Sequence, residues 1–314
     1  MYHGLWTSVI VTESLRILMS GLIDYAGLFP PAALDMRTTV ANWAAYRAGE
    51  RAWMLGRLVV PVARLGEFEQ AMLGAPPPTG PDAEIWRITA LGGDTLDADI
   101  ERIFRFNQRH AGEGEGPGVA VIDALELKAV TSTQIDKAMH AIPEQLEPFF
   151  EIPVTGDLRG LVAAMAGTGA RAKVRTGGVT PAAFPSTVEL ARFLSACAAA
   201  EVPFKATAGL HHPVRGSFPL TYEPGCASAT MFGFFNVFLA AAFMVTGRAE
   251  AGEVAGILEE SNARAFAFDD GGVTWRDLRL DTARLSRVRE SFAVSFGSCS
   301  FEEPVADLEK LGLL

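Results

Sequence analysis

Short apolar runs alternate with amphipathic stretches along most of the chain. Gly, Pro and polar residues bound these runs, which is typical of strands that are buried on both faces. Most neighbouring runs are separated by a segment with apolar residues at helical spacing, so the pattern predicts strand-helix-strand units with parallel strands. The predicted strands cover residues 15–23, 56–62, 84–93, 118–129, 147–154, 172–174 and 203–207.

The clearest of these units spans residues 171–216. Ser186 is a candidate N-cap for its helix, and Glu189 three residues later completes a capping box. The two flanking strands are predicted to be parallel neighbours, which places Lys173 and Lys205 in similar positions near their carboxyl ends. In a barrel built from such units, polar residues at those ends line the reaction site.

The repeated strand-helix rhythm predicts an α/β fold, namely a (β/α)8 TIM-type barrel that forms one domain over residues 1–314. An open doubly wound sheet is the alternative. The chain has no early G-x-G-x-x-G turn and no G-x-x-x-x-G-K-[ST] motif, which weakens dinucleotide and P-loop hypotheses. Within this single domain we expect residues 1–14 to form an N-terminal extension and residues 264–314 to form an irregular part that completes the barrel. The Pro- and Gly-rich stretch 75–82 is too short to separate two domains.

The C-terminal third predicts helices and a hairpin. Residues 231–247 are apolar over about 16 positions, short of the roughly 20 needed to cross a bilayer, and predict a fully buried helix. Residues 264–280 predict a β-hairpin around Asp270. Residues 281–296 and 297–313 then predict two further helices. None of these segments is identified as the eighth barrel strand.

The amino-acid composition limits the kinds of molecule that we expect the protein to bind. Of 314 residues, 49% are hydrophobic and 20% are charged, which suits a globular chain with a large core. The net charge of -10 argues against a nucleic-acid partner, which would need a basic patch. Three cysteines without a C-x-x-C pair, and a start that lacks a signal-peptide pattern, predict a cytoplasmic location. We expect a small anionic substrate and no membrane partner, and the sequence leaves homo-oligomerisation open.

The two lysines suit covalent catalysis. A neighbouring cation and a partly apolar site lower the pKa of a lysine, and the neutral amine can then attack a carbonyl to form a Schiff base. Lys173 and Lys205 supply such a pair, and Arg175 adds a third positive charge on the same face as Lys173. A proton carrier is also needed, and the candidates on the fourth and fifth strands are Asp123, Glu126 and Glu151.

Strand parity limits which of these candidates can face the barrel interior. Asp123 and Glu126 have opposite parity, so only one of them can point inward in a regular strand, whereas Glu126 and Lys128 share a parity. Asn236 is a polar residue in the apolar stretch of the predicted buried helix and needs hydrogen-bond partners. Its partner is either the preceding loop or a ligand.

Two segments, KVRTGGV (173–179) and FKATAGL (204–210), resemble the sixth and seventh strands of the deoxyribose-phosphate aldolase branch of class I aldolases. That family carries a Schiff-base lysine in a K-x-x-T-G pattern and a second lysine in F-K-x-x-G-G. The resemblance implies a barrel lyase with a Schiff base on Lys173, activation by Lys205, and Asp123 as the proton shuttle. By the same comparison the motif residues that follow the two lysines are Thr176, Gly177 and Gly209.

The chain departs from the family pattern at three places. Arg175 replaces a small residue in the first motif, and Ala208 replaces a glycine in the second. His211 and His212 stand where the family tends to have an arginine-containing turn. Phosphate binding by these turns is therefore not implied for this chain.

Three functional hypotheses follow. The first is a cofactor-free Schiff-base lyase of the aldolase type that acts on a small carbonyl or acidic metabolite. The second is a metal-dependent lyase or isomerase in which His211 or His212 binds a divalent metal with a carboxylate from Asp24, Glu126 or Glu151. The third is a non-catalytic barrel that binds an anionic metabolite. The candidate substrate-binding residues are Asp24, Lys128, Arg175, Thr176, Gly177, Gly209, His211, His212 and Asn236.

Overall fold

The computed structural model describes residues 10–75, 85–93, 95–112 and 118–314. Within them the chain forms a closed (β/α)8 barrel of the TIM type, as the sequence predicts. The strands are β1 (Ile23–Tyr25), β2 (Leu55–Pro61), β3 (Trp86–Leu91), β4 (Ala120–Lys128), β5 (Glu147–Glu151), β6 (Arg171–Arg175), β7 (Phe204–Thr207), β8 (Gly216–Pro219), β9 (Ser228–Met231), β10 (Phe266–Asp269), β11 (Gly272–Trp275), β12 (Leu278–Asp281) and β13 (Ala293–Ser298).

Helices follow most barrel strands and pack around the barrel. They are α1 (Glu13–Met19), α2 (Met36–Ala48), α3 (Leu65–Leu73), α4 (Leu96–His110), α5 (Ser132–Ala141), α6 (Leu158–Met165), α7 (Thr187–Ala199), α8 (Phe234–Val245), α9 (Ala251–Glu259), α10 (Thr282–Ser291) and α11 (Glu302–Lys310). The predicted capping box of α7 is present, because Ser186 Oγ accepts a hydrogen bond from the Glu189 amide and Glu189 Oε2 accepts one from the Ser186 amide.

Eight parallel strands close the barrel in the order β1, β13, β7, β6, β5, β4, β3, β2. The register aligns Lys173 of β6 with Lys205 of β7, and Glu151 of β5 with Lys173. These three side chains therefore start from the same level of the barrel. Glu151 is the last residue of β5, whereas Lys173 is the middle residue of β6 and Lys205 is the second residue of β7.

The prediction of a first strand at residues 15–23 was wrong over most of its length. Residues 13–19 form helix α1, and only the three residues of β1 enter the barrel. Leu15, Leu18, Met19 and Leu22 are all buried, and their spacing is the helical one that covers a single face. An apolar run of this length fits a strand or a helix, and the spacing of its apolar residues distinguishes the two.

The eighth barrel strand is β13, which the sequence assigned to a helix over residues 281–296. The helix α10 ends at Ser291, and the chain then enters the barrel between β7 and β1. A parallel strand of this kind is buried on both faces, so it lacks the alternation that marks an exposed sheet. Five of the six residues of β13 are buried.

Two small sheets are added to the barrel. The predicted hairpin at residues 264–280 is present as β10 and β11, and β12 extends it to three antiparallel strands. A second hairpin, β8 and β9, lies between β7 and α8. The linker-like stretch 75–82 lies outside the described residues except for Ala75, as do residues 1–9 of the predicted N-terminal extension.

Helix α8 is apolar except for Asn236, because its first ten residues are enclosed on every side. All ten residues from Phe234 to Phe243 are buried. Phe234 stacks on Phe296 of β13, with ring centroids 5.5 Å apart, and Phe238 stacks on Phe204 of β7 at 5.9 Å. No helix in the described ranges is long and apolar enough to cross a membrane.

Candidate active site

A cavity of about 740 Å³ lies at the carboxyl ends of the barrel strands. Its floor and walls include four side chains of the ion network described below and residues of the loops after β6, β7 and β13. Of the residues considered from the sequence, those that line it are Glu126, Lys128, Glu151, Lys173, Arg175, Gly209, His211 and His212. The position matches that of reaction sites in barrels of this fold.

Lys173 lies at the floor of this cavity between two carboxylates. Its Nζ donates to Glu126 Oε2 at 2.6 Å and contacts Glu151 Oε2 at 2.9 Å. Glu151 also contacts Arg175, whose Nε lies 3.1 Å from Oε1. Lys173 is only 4% exposed, whereas the Arg175 side chain is 47% exposed at the cavity rim.

Lys205 lies deeper and is only 1% exposed. Its Nζ contacts Asp24 Oδ2 at 2.5 Å and Glu126 Oε1 at 2.6 Å. Asp24 is held in turn by the Ser295 hydroxyl at 2.8 Å and by the Arg57 backbone amide at 2.8 Å. Glu126 therefore joins the two lysines, one through each carboxylate oxygen.

The contacts form one chain of alternating charge through the barrel interior. It runs from Asp24 through Lys205, Glu126, Lys173 and Glu151 to Arg175. We call these six side chains the ion chain. Its three negative and three positive charges balance, so each buried charge has an opposite neighbour, as burial requires.

The ion chain sets the protonation of its central members. Burial alone would raise the pKa of Glu126, but Lys173 and Lys205 outweigh it and lower this pKa to about 2. Burial likewise acts to lower the pKa of Lys205, and Asp24 and Glu126 reverse this and raise it. The pKa of Glu151 is lowered, because Lys173 and Arg175 outweigh its burial. At neutral pH the two glutamates are carboxylates and Lys205 is an ammonium.

The residues after the two lysines hold the ends of β6 and β7 together. Thr176 is fully buried, and its hydroxyl donates to the Ala208 carbonyl oxygen at 2.6 Å. A side chain on Gly177 would come within 2.8 Å of the Gly209 Cα, so the two turns touch through their glycines. The threonine and the two glycines thus support the site through backbone packing, and Gly209 also faces the cavity.

Ala208 has a left-handed backbone, with φ of 62°, at a position where the family pattern has glycine. We expect Ala208→Gly to stabilise the protein by about 1 kcal/mol, because a Cβ is disfavoured in this region. The measurement is denaturant unfolding of the variant and the parent. Ala200→Gly, at φ of -100°, is the matched control and should give no gain. If Ala208→Gly were less stable than the parent, the inference of backbone strain at Ala208 would be contradicted.

The structure does not bring Asp123 to the lysines. A bulge in β4 falls at Asp123, since Ile88 pairs with Ile122 and Thr89 pairs with Ala124. Asp123 instead contacts Arg57 at 2.7 Å and Arg87 at 2.5 Å, in an ion cluster toward the amino ends of the strands that also includes Glu147 and Arg171. Glu126 takes the place between the lysines. The parity rule assumes a regular strand, and the bulge at Asp123 interrupts the alternation on which it depends.

The side-chain amide of Asn236 forms all its hydrogen bonds with backbone groups of the protein. Its Oδ1 accepts hydrogen bonds from the amides of Arg215 at 2.7 Å and Gly233 at 3.0 Å. Its Nδ2 donates to the carbonyl oxygens of Ile257 at 2.6 Å and Glu260 at 2.8 Å. The side chain is completely buried and ties α8 to α9 and to the loop after β7, so it has no polar atom left for a ligand.

His211 and His212 each pair with a carboxylate of α11. His211 Nδ1 lies 2.7 Å from Glu303 Oε2, and His212 Nδ1 lies 2.6 Å from Asp307 Oδ2. The carboxylates proposed to complete a metal site with them belong to the ion chain instead. No group of three or more metal-binding side chains is found within residues 10–75, 85–93, 95–112 and 118–314.

Tyr222, Cys299 and Glu303 are among the lining residues that were not identified from the sequence. Glu303 is 92 positions from His211, so the contact between them depends on the closure of the barrel. Identification of β13 as the eighth strand would have placed Cys299 and Glu303 at its carboxyl end, where barrel sites lie. Tyr222 lies in the loop of the β8-β9 hairpin, which covers one side of the cavity.

The candidate active site therefore consists of the part of the ion chain that lines the cavity, the cations Lys128 and Arg175 at its rim, and the polar side chains His211, His212, Tyr222, Cys299 and Glu303. Its members come from separate strands and helices that are distant in sequence. In comparisons with known proteins, no family model matches the chain and no curated protein matches it.

Proposed function

We propose that this protein is a Schiff-base lyase of the aldolase type, acting on a small anionic carbonyl compound. The observation that carries the proposal is the position of Lys173, whose amino group lies at the cavity floor and shares Glu126 with a second buried lysine. The resemblance of the two lysine motifs to class I aldolases supports the same reaction.

Lys173 is the better nucleophile of the two lysines. It lines the cavity, where a substrate carbonyl can reach it, whereas Lys205 does not line the cavity and is almost completely enclosed. Lys205 is also kept charged by Asp24 and Glu126, which raise its pKa. Its role is to hold a positive charge beside Glu126 and Lys173.

The reaction begins when Lys173 loses a proton, and two carboxylates lie within hydrogen-bond distance of Nζ to take it. The amine attacks the carbonyl carbon, and the resulting carbinolamine loses water to give an iminium ion. That cation accepts the electron pair of the neighbouring carbon-carbon bond when the bond breaks. Glu126 and Glu151 stabilise its positive charge, as they do that of the resting ammonium.

The cavity rim favours an anionic substrate. Lys128 is exposed at the end of β4 and lines the cavity, and the half-exposed Arg175 lies beside Glu151. Arg175 completes the charge balance of the ion chain through Glu151, so Lys128 is the rim cation outside that balance that can contact a carboxylate or phosphate group of the substrate. Apolar residues of the loops, such as Phe29 and Leu220, cover the remaining surface.

The direct test is reductive trapping. The protein is incubated separately with acetaldehyde, glyceraldehyde, dihydroxyacetone, pyruvate and glyoxylate, reduced with borohydride, and its intact mass is measured. We expect one covalent adduct per chain with at least one compound, and the same adduct in Lys137→Met, which removes an exposed lysine of α5.

Absence of any adduct above that of a denatured sample would contradict the lyase. A compound that raises the melting temperature of the protein without forming an adduct or being converted would instead favour the non-catalytic binding barrel.

A further inference from the structure

A second polar network borders the same cavity as Lys173. His211 Nδ1 is 2.7 Å from Glu303 Oε2, and the Tyr222 hydroxyl donates to the same oxygen at 3.0 Å. The Tyr222 oxygen also lies 3.7 Å from Cys299 Sγ. All four residues line the same cavity as Lys173, and imine formation at Lys173 uses none of them.

The carboxylate of Glu303 fixes the orientation of the His211 ring. Burial acts to raise the pKa of Glu303, but hydrogen bonds and charge from His211, together with Tyr222, outweigh it and lower this pKa. An ionised carboxylate accepts hydrogen bonds, so Nδ1 of the neutral ring is assigned the proton and Nε2 the free electron pair. In the described part of the chain, Nε2 of His211 makes no hydrogen bond.

His212 is held differently from His211, although both rings border the cavity. Its ring stacks on Phe218 of β8 with centroids 3.6 Å apart, and its Nδ1 contacts Asp307, which also binds Lys310. Phe218 therefore covers one face of the His212 ring and ties it to the hairpin. Both histidines belong to carboxylate-histidine pairs, and His211 is the one whose ring is not stacked on Phe218.

We infer that His211 is the acid-base group that exchanges a proton with the β-hydroxyl of the aldol substrate. This inference rests on the proposed Schiff-base function and adds the group that handles the second half of the substrate. Glu303 is a positioning residue, because it acts through His211, and Tyr222 holds Glu303 from the hairpin side.

His211 and Lys173 together account for the protons and electron pairs that move in the cleavage step. His211 Nε2 takes the proton of the β-hydroxyl, and the O–H electron pair becomes the second bond of a new aldehyde carbonyl. The bond between the α and β carbons breaks, and its electron pair forms the carbon-carbon double bond of an enamine as the iminium nitrogen becomes neutral. The aldehyde leaves, and protonation of the enamine followed by hydrolysis releases the second product and Lys173. In the reverse direction, protonated His211 donates to the developing alkoxide.

The test separates imine formation from carbon-carbon bond chemistry. Each compound of the trapping panel that labels the parent protein is mixed with glyceraldehyde or glyoxylate as acceptor, and the condensation product is followed by mass spectrometry. The same preparations are reduced with borohydride to measure labelling of Lys173. The variants are His211→Ala and Glu303→Gln, with His140→Ala as a control that changes an exposed histidine on α5.

We expect His211→Ala to retain labelling of Lys173 but to form product about 100-fold more slowly or worse, in line with the loss of a general acid-base group. Added imidazole should restore part of the rate in His211→Ala, which a purely structural role would not allow. Glu303→Gln should lower the rate by a smaller factor, and His140→Ala should match the parent.

Product formation by His211→Ala within about threefold of the parent, a margin well below the usual acid-base contribution, would overturn this inference and leave the Schiff-base proposal standing. A parent protein that is labelled but condenses no pair of the compounds also counts against it. Absence of labelling in the parent removes the Schiff-base proposal itself, and the inference with it.

Discussion

Replacement of Lys173 by arginine is expected to abolish borohydride labelling and to lower turnover by about 10⁴-fold or more, the scale seen when a covalent nucleophile is removed. The guanidinium keeps the positive charge between Glu126 and Glu151 but is not deprotonated in proteins and cannot form the imine. Turnover is measured with the compound that gives the strongest adduct.

Lys173→Met is a useful companion to Lys173→Arg. It should be equally inactive, but it removes one cation from the ion chain and should destabilise the protein by about 3 kcal/mol, since the carboxylates lose a buried partner. Lys137→Met serves as the control for both. Turnover of a folded Lys173→Arg protein within tenfold of the parent would contradict the nucleophile assignment.

Glu126→Gln is expected to impair both stability and turnover, because Glu126 joins the two lysines. The neutral amide cannot balance Lys173 and Lys205, and we expect a loss of about 3 to 5 kcal/mol from the free energy of unfolding at pH 7. Turnover should fall about 10² to 10⁴-fold, because one of the two carboxylates that can accept the proton from Lys173 and stabilise the iminium is lost. Glu144→Gln, at an exposed position, is the matched control.

The pH dependence of stability gives an independent test of Glu126. Its pKa is lowered from 4.5 to about 2 in the folded protein, so the unfolded chain binds the proton more readily than the folded one. The stability that this carboxylate contributes, about 3 kcal/mol, is present above pH 4.5 and is lost as the pH falls toward 2. Denaturant unfolding between pH 7 and pH 2.5 should show a shallower acid slope for Glu126→Gln than for Glu144→Gln, and equal slopes would contradict the assignment.

The central part of the barrel could be predicted from sequence because its signals are local. The capping box of Ser186 and Glu189 and the glycines after Lys173 and Lys205 are read within a few residues, and β6 and β7 form where expected. Parity then limited the inward-facing residue of β4 to Asp123 or Glu126. The bulge at Asp123 interrupts that alternation, and the pattern of residues along the strand carries no sign of it.

The two ends of the chain were harder to predict, for different physical reasons. The apolar residues of α1 fit a strand by composition, and only their helical spacing distinguishes them. In β13 both faces are buried, so the run after Phe292 has no polar alternation to separate it from the end of α10. The pairing of His211 with Glu303 follows from the closure of the barrel by β13 and could not be read before that strand was placed.

The most direct test of the account is to locate the reduced adduct by peptide mass spectrometry after borohydride trapping. The account predicts the label on the peptide that contains Lys173, with Lys205 unmodified because it is enclosed beneath Glu126. A label on Lys205, or one confined to exposed lysines such as Lys128, would contradict the assignment of Lys173 as the Schiff-base residue.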